Sequence, residues 1–488
     1  MKRFLAGAVC AAMLFGLSAC AASAPAELPQ QGEAPLAQPE EPEAPSGPRD
    51  PITGARPEMQ QAAFWIGLDA TAPQLRMTAE ECAAYNAALT QTPGTDVEDL
   101  SRFGQEITRE TVQELLPGGA APREGYYTGA ALLTAEQRRA MEQNTGLDAL
   151  VPHAPQYGFV TRSTLLRRYP SGLPLYLGPD DVEFDQAVET RAKLWEPFVL
   201  LHTSADGQWY FVRTRDYAAW LQAADGALCS RERWDELRQR LEEDFLIVTA
   251  PRLSLAGSAA LPELAELSLE MGTRLPLERE AALVDNAVTV NCWTVQVPLA
   301  DAGGELQLAQ ARIPKSGDAN EGCLPYTGET LLRQAFRLLG QRYGWGGMFG
   351  DWDCSSFCQD VYLTLGLRLP RNSGSQSRIP GGIALSGLTE QEKADALAAL
   401  QPGTLVVLSG HQTMYLGTYE GEPYLIHATY ALYDAAGERY VQNAVIVSSA
   451  LAFRSNGKTI LENSHTLALP AKNLKKPVKI SNLWQKLS

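Results

Sequence analysis

Histidine is scarce in this 488-residue chain: His153, His202, His411, His427 and His465 are the full set. Five imidazoles confine any search for a histidine general base to a few positions. Basic clusters are equally thin. Lys and Arg number 41 against 57 Asp and Glu, a net charge of −16, with no basic patch beyond Lys472 to Lys479. That balance excludes a nucleic-acid partner and a polybasic footprint on a membrane. Cysteine is sparse too. Of eight, Cys10 and Cys20 lie at the N-terminal end, while Cys82, Cys229, Cys292, Cys323, Cys354 and Cys358 match no zinc or disulfide framework in their spacing. The apolar run at the start, Phe4 to Leu17, is too short for a comfortable membrane span.

What that run does fit is a secretion signal. Lys2 and Arg3 precede it and Leu17-Ser18-Ala19-Cys20 closes it, which predicts a signal peptide over residues 1–19. The closing four residues resemble a bacterial lipobox. That resemblance implies lipidation of Cys20 and an extracytoplasmic, membrane-anchored lipoprotein of the bacterial cell envelope. Residues 20–54 carry prolines at regular intervals from Pro25 to Pro51 among Ala, Glu and Gln. Such a segment buries too little apolar surface to fold and reads as a tether. The remaining body of roughly 430 residues is expected to hold about three or four domains.

Residues 55–150 read as a mainly helical N-terminal domain, with capping-box patterns at Thr78-Ala-Glu-Glu81 and Thr134-Ala-Glu-Gln137. From 158 to 235, short runs rich in β-branched and aromatic residues (Thr161 to Tyr169, Leu173 to Tyr176, Phe198 to His202, Trp209 to Val212) alternate with turn residues. They predict a small β-barrel. A second region of this kind spans 245–318, with runs at Leu246 to Thr249, Ala287 to Val297 and Leu306 to Ile313. Both resemble bacterial SH3-like modules in pattern and context. Residues 323–470 begin with Leu331, Leu332, Ala335, Leu338 and Leu339 at helical spacing, and continue to strands around Leu405–Leu408, Met414–Leu416 and Tyr424–His427. A helical part followed by an antiparallel sheet makes this last domain α+β.

The chemistry concentrates in Tyr343-Gly-Trp-Gly-Gly-Met-Phe-Gly-Asp-Trp-Asp-Cys354-Ser-Ser-Phe. A glycine-rich turn delivers Cys354 to the start of an apolar helix, where partial positive charge favours a thiolate. Cys358, one turn on, reads as a small apolar residue behind it. A cysteine nucleophile needs an imidazole and a polar group that sets the imidazole's tautomer. His411 and His427 both fall on strands after the cysteine helix and fit those roles. A zinc site built from Cys354, the two histidines and Asp353 is disfavoured, because adjacent side chains leaving a helix start diverge. No metal and no cofactor is expected.

Gly-Trp-Gly-Gly with Asp353-Cys354-Ser355-Ser356-Phe357 resembles the nucleophile motif of the NlpC family of papain-like bacterial cell-wall cysteine peptidases. Pro402-Gly403-Thr-Leu-Val-Val, His411 and Met414-Tyr-Leu-Gly417 resemble that family's histidine strand, and His427 falls where its third polar residue lies. The resemblance implies a papain-like α+β catalytic domain over 323–470, behind two SH3-like barrels and a helical region. It implies an endopeptidase cutting peptidoglycan stem peptides, typically at the γ-D-glutamyl–diamino acid bond, through Cys354, His411 and His427. The Cys354 N–H and the Tyr343 hydroxyl would stabilise the oxyanion. Asp353, Ser355, Ser356, Asn372 and Ser373 would line the substrate site. In relatives with two barrels, an acidic residue at this flank of the nucleophile helps bind the free amine of the stem peptide's L-alanine. Asn372, in Arg371-Asn372-Ser373, departs from the Asp-Ser of some relatives and cannot form an ion pair. From the first barrel, Tyr217 and Glu196 are candidates to close the pocket. A monomer is expected, with stem peptides and a membrane held through Cys20 as partners. Two other functions use the same residues: a wall-binding lipoprotein with a silent peptidase domain, and a peptidyl or acyl transferase.

Overall fold

The computed structural model describes residues 47–104, 106–280 and 283–470. The expected signal segment, Cys20, most of the expected tether and the Lys472-to-Lys479 stretch lie outside them. The chain divides into two units, residues 1–40 and 41–488, and every described residue belongs to the second. The end of the expected tether, residues 47–54, is not a free linker. Asp50 closes a turn by accepting from the Ile52 and Thr53 N–H groups at 3.0 and 2.7 Å. The Thr53 carbonyl accepts from the Ser449 N–H at 2.7 Å, and Arg49 pairs with Glu422 at 2.6 Å.

Among the described residues, 55–150 form four short α-helices, Ala62–Leu68, Ala79–Leu89, Arg109–Leu115 and Ala135–Asn144. Thr78 and Thr134 close the capping boxes that the sequence spells out. The segment does not close on a core of its own. Met59, Trp65, Cys82 and Tyr85 pack into the core of the C-terminal domain; Leu100, Ile107, Val112 and Leu147 pack into that of the β-rich regions. Helices of seven to eleven residues carry too little apolar face to be stable alone, so they borrow larger neighbours.

From Gln156 to Cys229 seven strands form one antiparallel sheet in the order Gly226–Cys229, Gln156–Val160, Pro197–Thr203, Trp209–Arg213, Ala218–Gln222, Thr164–Arg167 and Val188–Ala192. Alternate residues of each strand point to opposite faces. Phe159, Val199, Leu201, Phe211 and Trp220 fill one cluster, while Val160, Phe198, Leu200, Val212 and Leu221 fill another. The expected strand Leu173 to Tyr176 is absent, and Val188–Ala192 takes its place at the edge. A helix, Arg231–Glu243, then buries Trp234, Leu237 and Leu241 along one face. The second β-rich region is divided into small pieces. Phe245–Val248 lies between Arg274–Pro276 and Ala319–Glu321, and a long hairpin pairs Cys292–Ala300 with Leu306–Pro314. Its Leu246, Val295 and Ile313 share one cluster with Phe159, Trp195 and Trp234. The two β-rich regions therefore have a common core.

In the C-terminal domain the first helix, Gly328–Arg337, is capped by Thr327 and buries Leu331, Leu332 and Ala335. The cysteine helix, Cys354–Thr364, follows the glycine turn. The sheet runs in the order Ile383–Ala384, Ser464–Ala468, Leu405–Leu408, His411–Tyr419, Glu422–Tyr433 and Arg439–Ser449. Leu405, Val407, Met414, Leu416, Ile426 and Ala428 pack with Phe357, Cys358 and Val361 of the cysteine helix. Val406, Leu408, Tyr415 and Leu425 pack on the other side with Ala396 and Leu397 of the helix Glu390–Ala398. Each fully buried aliphatic side chain contributes about 1.5–3 kcal/mol. The cysteine helix is thus clamped to the sheet at the level of the two histidine strands.

Candidate active site

Cys354 begins its helix because Asp353 caps it. The Asp353 carboxylate accepts from the Ser356 N–H at 2.9 Å, and the Ser356 hydroxyl accepts from the Asp353 N–H at 3.0 Å. The turn before it lies against the first β-rich region. A Cβ on Gly346 would sit 2.7 Å from Val188 Cγ1, and one on Gly347 would sit 2.6 Å from Arg191 Cβ. Both glycines also have positive φ, 57° and 92°, so side chains are excluded twice over. The large ring buried beneath the turn is Trp352, whose Nε1 donates to Asp360 at 2.8 Å. Trp345 is only half-buried, edge-on to Phe184.

Across from the helix start lies the strand His411–Tyr419. The Gln412 backbone N–H donates toward the Cys354 sulfur. His411 Nε2 and His427 Nδ1 are 2.8 Å apart, and His427 Nε2 is 3.0 Å from Ser448 Oγ. The Ser448 hydroxyl donates its proton to the Ser449 carbonyl at 3.2 Å. A hydroxyl has a single proton, so Ser448 accepts from His427 Nε2–H. His427 Nδ1 is then a bare lone pair and accepts from His411 Nε2–H. This network assigns His411 the tautomer with a free lone pair on Nδ1, the form a general base requires.

Charge in the site differs from the expectation of a resting thiolate. Burial pushes the Cys354 thiol up to about 12 and the Asp353 carboxylate adds to the rise, against Gln412, Arg371 and Arg454. Burial, with the anionic cap adding to it, outweighs the helix start, so the resting sulfur is protonated. Burial, then Arg454 and His427, holds His411 well below the ordinary histidine value. Burial and Arg454 lower His427 to about 3. The resting groups are therefore a neutral thiol and a neutral, oriented imidazole pair.

Several expected site residues serve the scaffold. Arg371 reaches Asp353 with Nη2 at 2.5 Å and Nη1 at 3.2 Å, Ser355 Oγ at 2.9 Å and Thr190 Oγ1 at 2.7 Å. The Arg371 guanidinium keeps the buried Asp353 carboxyl below the usual range. Asp353, Ser355 and Ser356 are thereby engaged within the cap. Tyr343 is buried beside Phe184 and Tyr430, and burial, then Cys354 and Asp353, push its hydroxyl well above the ordinary tyrosine value. Asn372 is exposed and exchanges hydrogen bonds with the Tyr217 hydroxyl of the first β-rich region at 3.0–3.1 Å. Ser373 starts the short helix Ser373–Gln376 beside it. Glu196 lines, together with Tyr217 and Arg371, a cavity of about 740 Å³ beside the cysteine helix, where burial and Asp216 raise it to about 7. His153, His202 and His465 take no part. Sequence reasoning missed Ser448 and Arg454, which no motif marks, and passed over Arg371, although it adjoins Asn372.

Residues 340–450 match the NlpC/P60 family and residues 174–222 match an SH3 domain of the SH3b1 type. Over 200 residues the chain is 28% identical to a gamma-D-glutamyl-L-lysine dipeptidyl-peptidase of Bacillus cereus, covering 40% of this chain and 52% of that protein. Over 100 residues it is 32% identical to a probable endopeptidase p60 of Listeria seeligeri, covering 20% of this chain and 17% of that protein. The chain thus spans about half the length of the first relative and less of the second. An NlpC/P60 endopeptidase from Photobacterium damselae subsp. piscicida has a similar structure, with a TM-score of 0.67, 17% identity, and coverage of 87% of this chain and 98% of that one. At that identity the likeness is one of fold.

Proposed function

From a C-terminal domain of the NlpC/P60 family behind an SH3b-type domain, we propose a peptidoglycan endopeptidase that cuts stem peptides at the γ-D-glutamyl–diamino acid bond. The observation that carries it is the one-directional hydrogen-bond chain Ser448, His427, His411, which leaves His411 Nδ1 as a base. The activity named for the Bacillus cereus relative supports the choice of bond.

In this mechanism the Cys354 sulfur attacks the γ-carbonyl while its proton passes to His411 Nδ1. His427 accepts from the imidazolium and keeps it oriented. The oxyanion meets the Cys354 backbone N–H, one of the helix's unpaired first-turn donors, with the Tyr343 hydroxyl as a second. His411 then gives its proton to the leaving amine. Water, deprotonated by His411, hydrolyses the thioester. The enzyme works outside the cytoplasm, held to the membrane by a lipid on Cys20, with the SH3-like regions over 158–235 and 245–318 beside the catalytic domain.

Purified muropeptides incubated with the protein and read by mass spectrometry test the proposal. Cleavage is expected at the γ-D-glutamyl bond with transfer of water only, and Cys354→Ala is expected to abolish it. Intact peptides, products joined to an added amine, or cleavage surviving Cys354→Ala would sink the mechanism. Labelling with a clickable fatty acid that fails to depend on Cys20 would sink the anchor.

A further inference from the structure

Around the glycine turn and the cysteine helix, arginines are matched to acids. Arg371 holds Asp353, Arg342 holds Glu183, Arg252 holds Asp351 and Arg191 holds Glu270. Arg454 is the exception. Among the described residues no carboxylate pairs with it, and its guanidinium makes a single long hydrogen bond, from Nη1 to Thr429 Oγ1 at 3.4 Å. Thr429 follows His427 by two residues on the same strand, so the guanidinium lies one pleat along from the imidazole pair. Its charge acts on Cys354, Tyr343, His411 and His427 alike. The residue is half-buried and held in a closed turn: Arg454 N–H donates to the Lys458 carbonyl at 2.9 Å, and Gly457 N–H donates to the Arg454 carbonyl at 3.0 Å.

An unpaired, partly desolvated cation beside a dyad that must itself become positive opposes catalysis unless an anion arrives with the substrate. The bond named above supplies one. In a γ-linked glutamyl residue the attacked carbonyl lies three carbons from the residue's own α-carboxylate, so that group must enter the cleft with it. We propose that Arg454 binds the free α-carboxylate of the D-glutamyl residue on the acyl side of the scissile bond, and so selects glutamyl over isoglutaminyl stem peptides. The inference rests on the endopeptidase reading and goes beyond it. A planar guanidinium with several unused donors suits a carboxylate, and its amide counterpart offers one acceptor fewer and no charge.

Three synthetic peptides test this: L-Ala-γ-D-Glu-L-Lys, the same peptide with the glutamyl α-carboxyl amidated, and the same with the lysine carboxyl amidated. The wild-type protein is expected to favour the first over the second by about 10- to 100-fold in kcat/KM, the range for losing a bond to a charged group. Arg454→Gln should bring that ratio near one, and Arg454→Lys should keep part of it. A preference that instead tracks the lysine carboxyl, a uniform loss on all three peptides in Arg454→Gln, or no preference in the wild type overturns the inference. Calorimetry with the Cys354→Ala protein separates the two readings. If the wild type cleaves nothing while Cys354→Ala still binds acid over amide through Arg454, the endopeptidase falls and the carboxylate site stands. Cleavage without preference leaves the reverse.

Discussion

At the scale of single residues, the tautomer of His411 depends on one serine hydroxyl two strands away. Ser448 is buried and its proton is committed to the Ser449 carbonyl, so it can only accept from His427. Removing it by Ser448→Ala leaves His427 free to flip its tautomer, which would turn His411 from base to donor. Outer partners of this kind carry about 10- to 100-fold. The expected result is a fall of about tenfold in kcat with little change in KM, partly restored by Ser448→Thr, as steady-state kinetics would show. The same burial sets the pH response. The pKa of His411 is lowered, so the base form persists as pH falls below 6.5 and activity is lost only when pH drops through the depressed value. The acid limb of kcat/KM should therefore lie below 6.5, and a limb at or above that value would contradict the buried neutral pair.

The cysteine helix shows how one side chain can serve both local and long-range order. Asp353 caps it, and Arg371 pins that cap from the loop before Ser373–Gln376. The carboxyl is buried with its pKa lowered, so its contribution to stability is present above the ordinary carboxylate pKa and lost as pH falls through the lower folded value. Asp353→Ala would remove the cap and strand a buried guanidinium, at a cost of about 3–5 kcal/mol. In urea denaturation the double variant Asp353→Ala, Arg371→Met should lose less than Asp353→Ala alone. Equal losses would mean that the cap, and not the stranded charge, dominates. The glycine turn and the helix start were both legible from residue types and spacing, because turn and cap chemistry is local. Arg371 was not assigned a role, because its partner lies 18 residues away along the chain.

Over the whole molecule, the regions ahead of the C-terminal domain are fused to it. Lys193 donates to both oxygens of Asp360 at 2.8 and 2.9 Å, and that carboxylate sits on the cysteine helix with 1% of its side chain exposed. Arg191 donates to the Asp351 carbonyl at 3.0 Å, next to the glycine turn. Lys193→Met should lower stability by about 3 kcal/mol, the low end for breaking a buried pair, since the lysine keeps some contact with solvent. Differential scanning calorimetry should show this as a lower midpoint of the transition that contains the C-terminal domain. An unshifted midpoint would mean that the first β-rich region is an appendage.

The sequence alone was enough to place Cys354 at a helix start behind a glycine turn, to read the two histidine strands and to give the α+β order of the last domain. It could do so because glycine turns, helix caps and strand alternation are written in neighbouring residues, and because five histidines leave few choices. The strands Arg439–Ser449 and Ser464–Ala468 were not read, nor was the shared core that dissolves the expected helical domain into its neighbours. Those features depend on which distant apolar surfaces meet. The same holds for the charges of the site. Whether Cys354 rests as a thiol, which nitrogen of His411 is bare and which arginine lacks a partner are set by burial and by contacts between residues far apart in sequence. Only the tertiary structure brings those residues together.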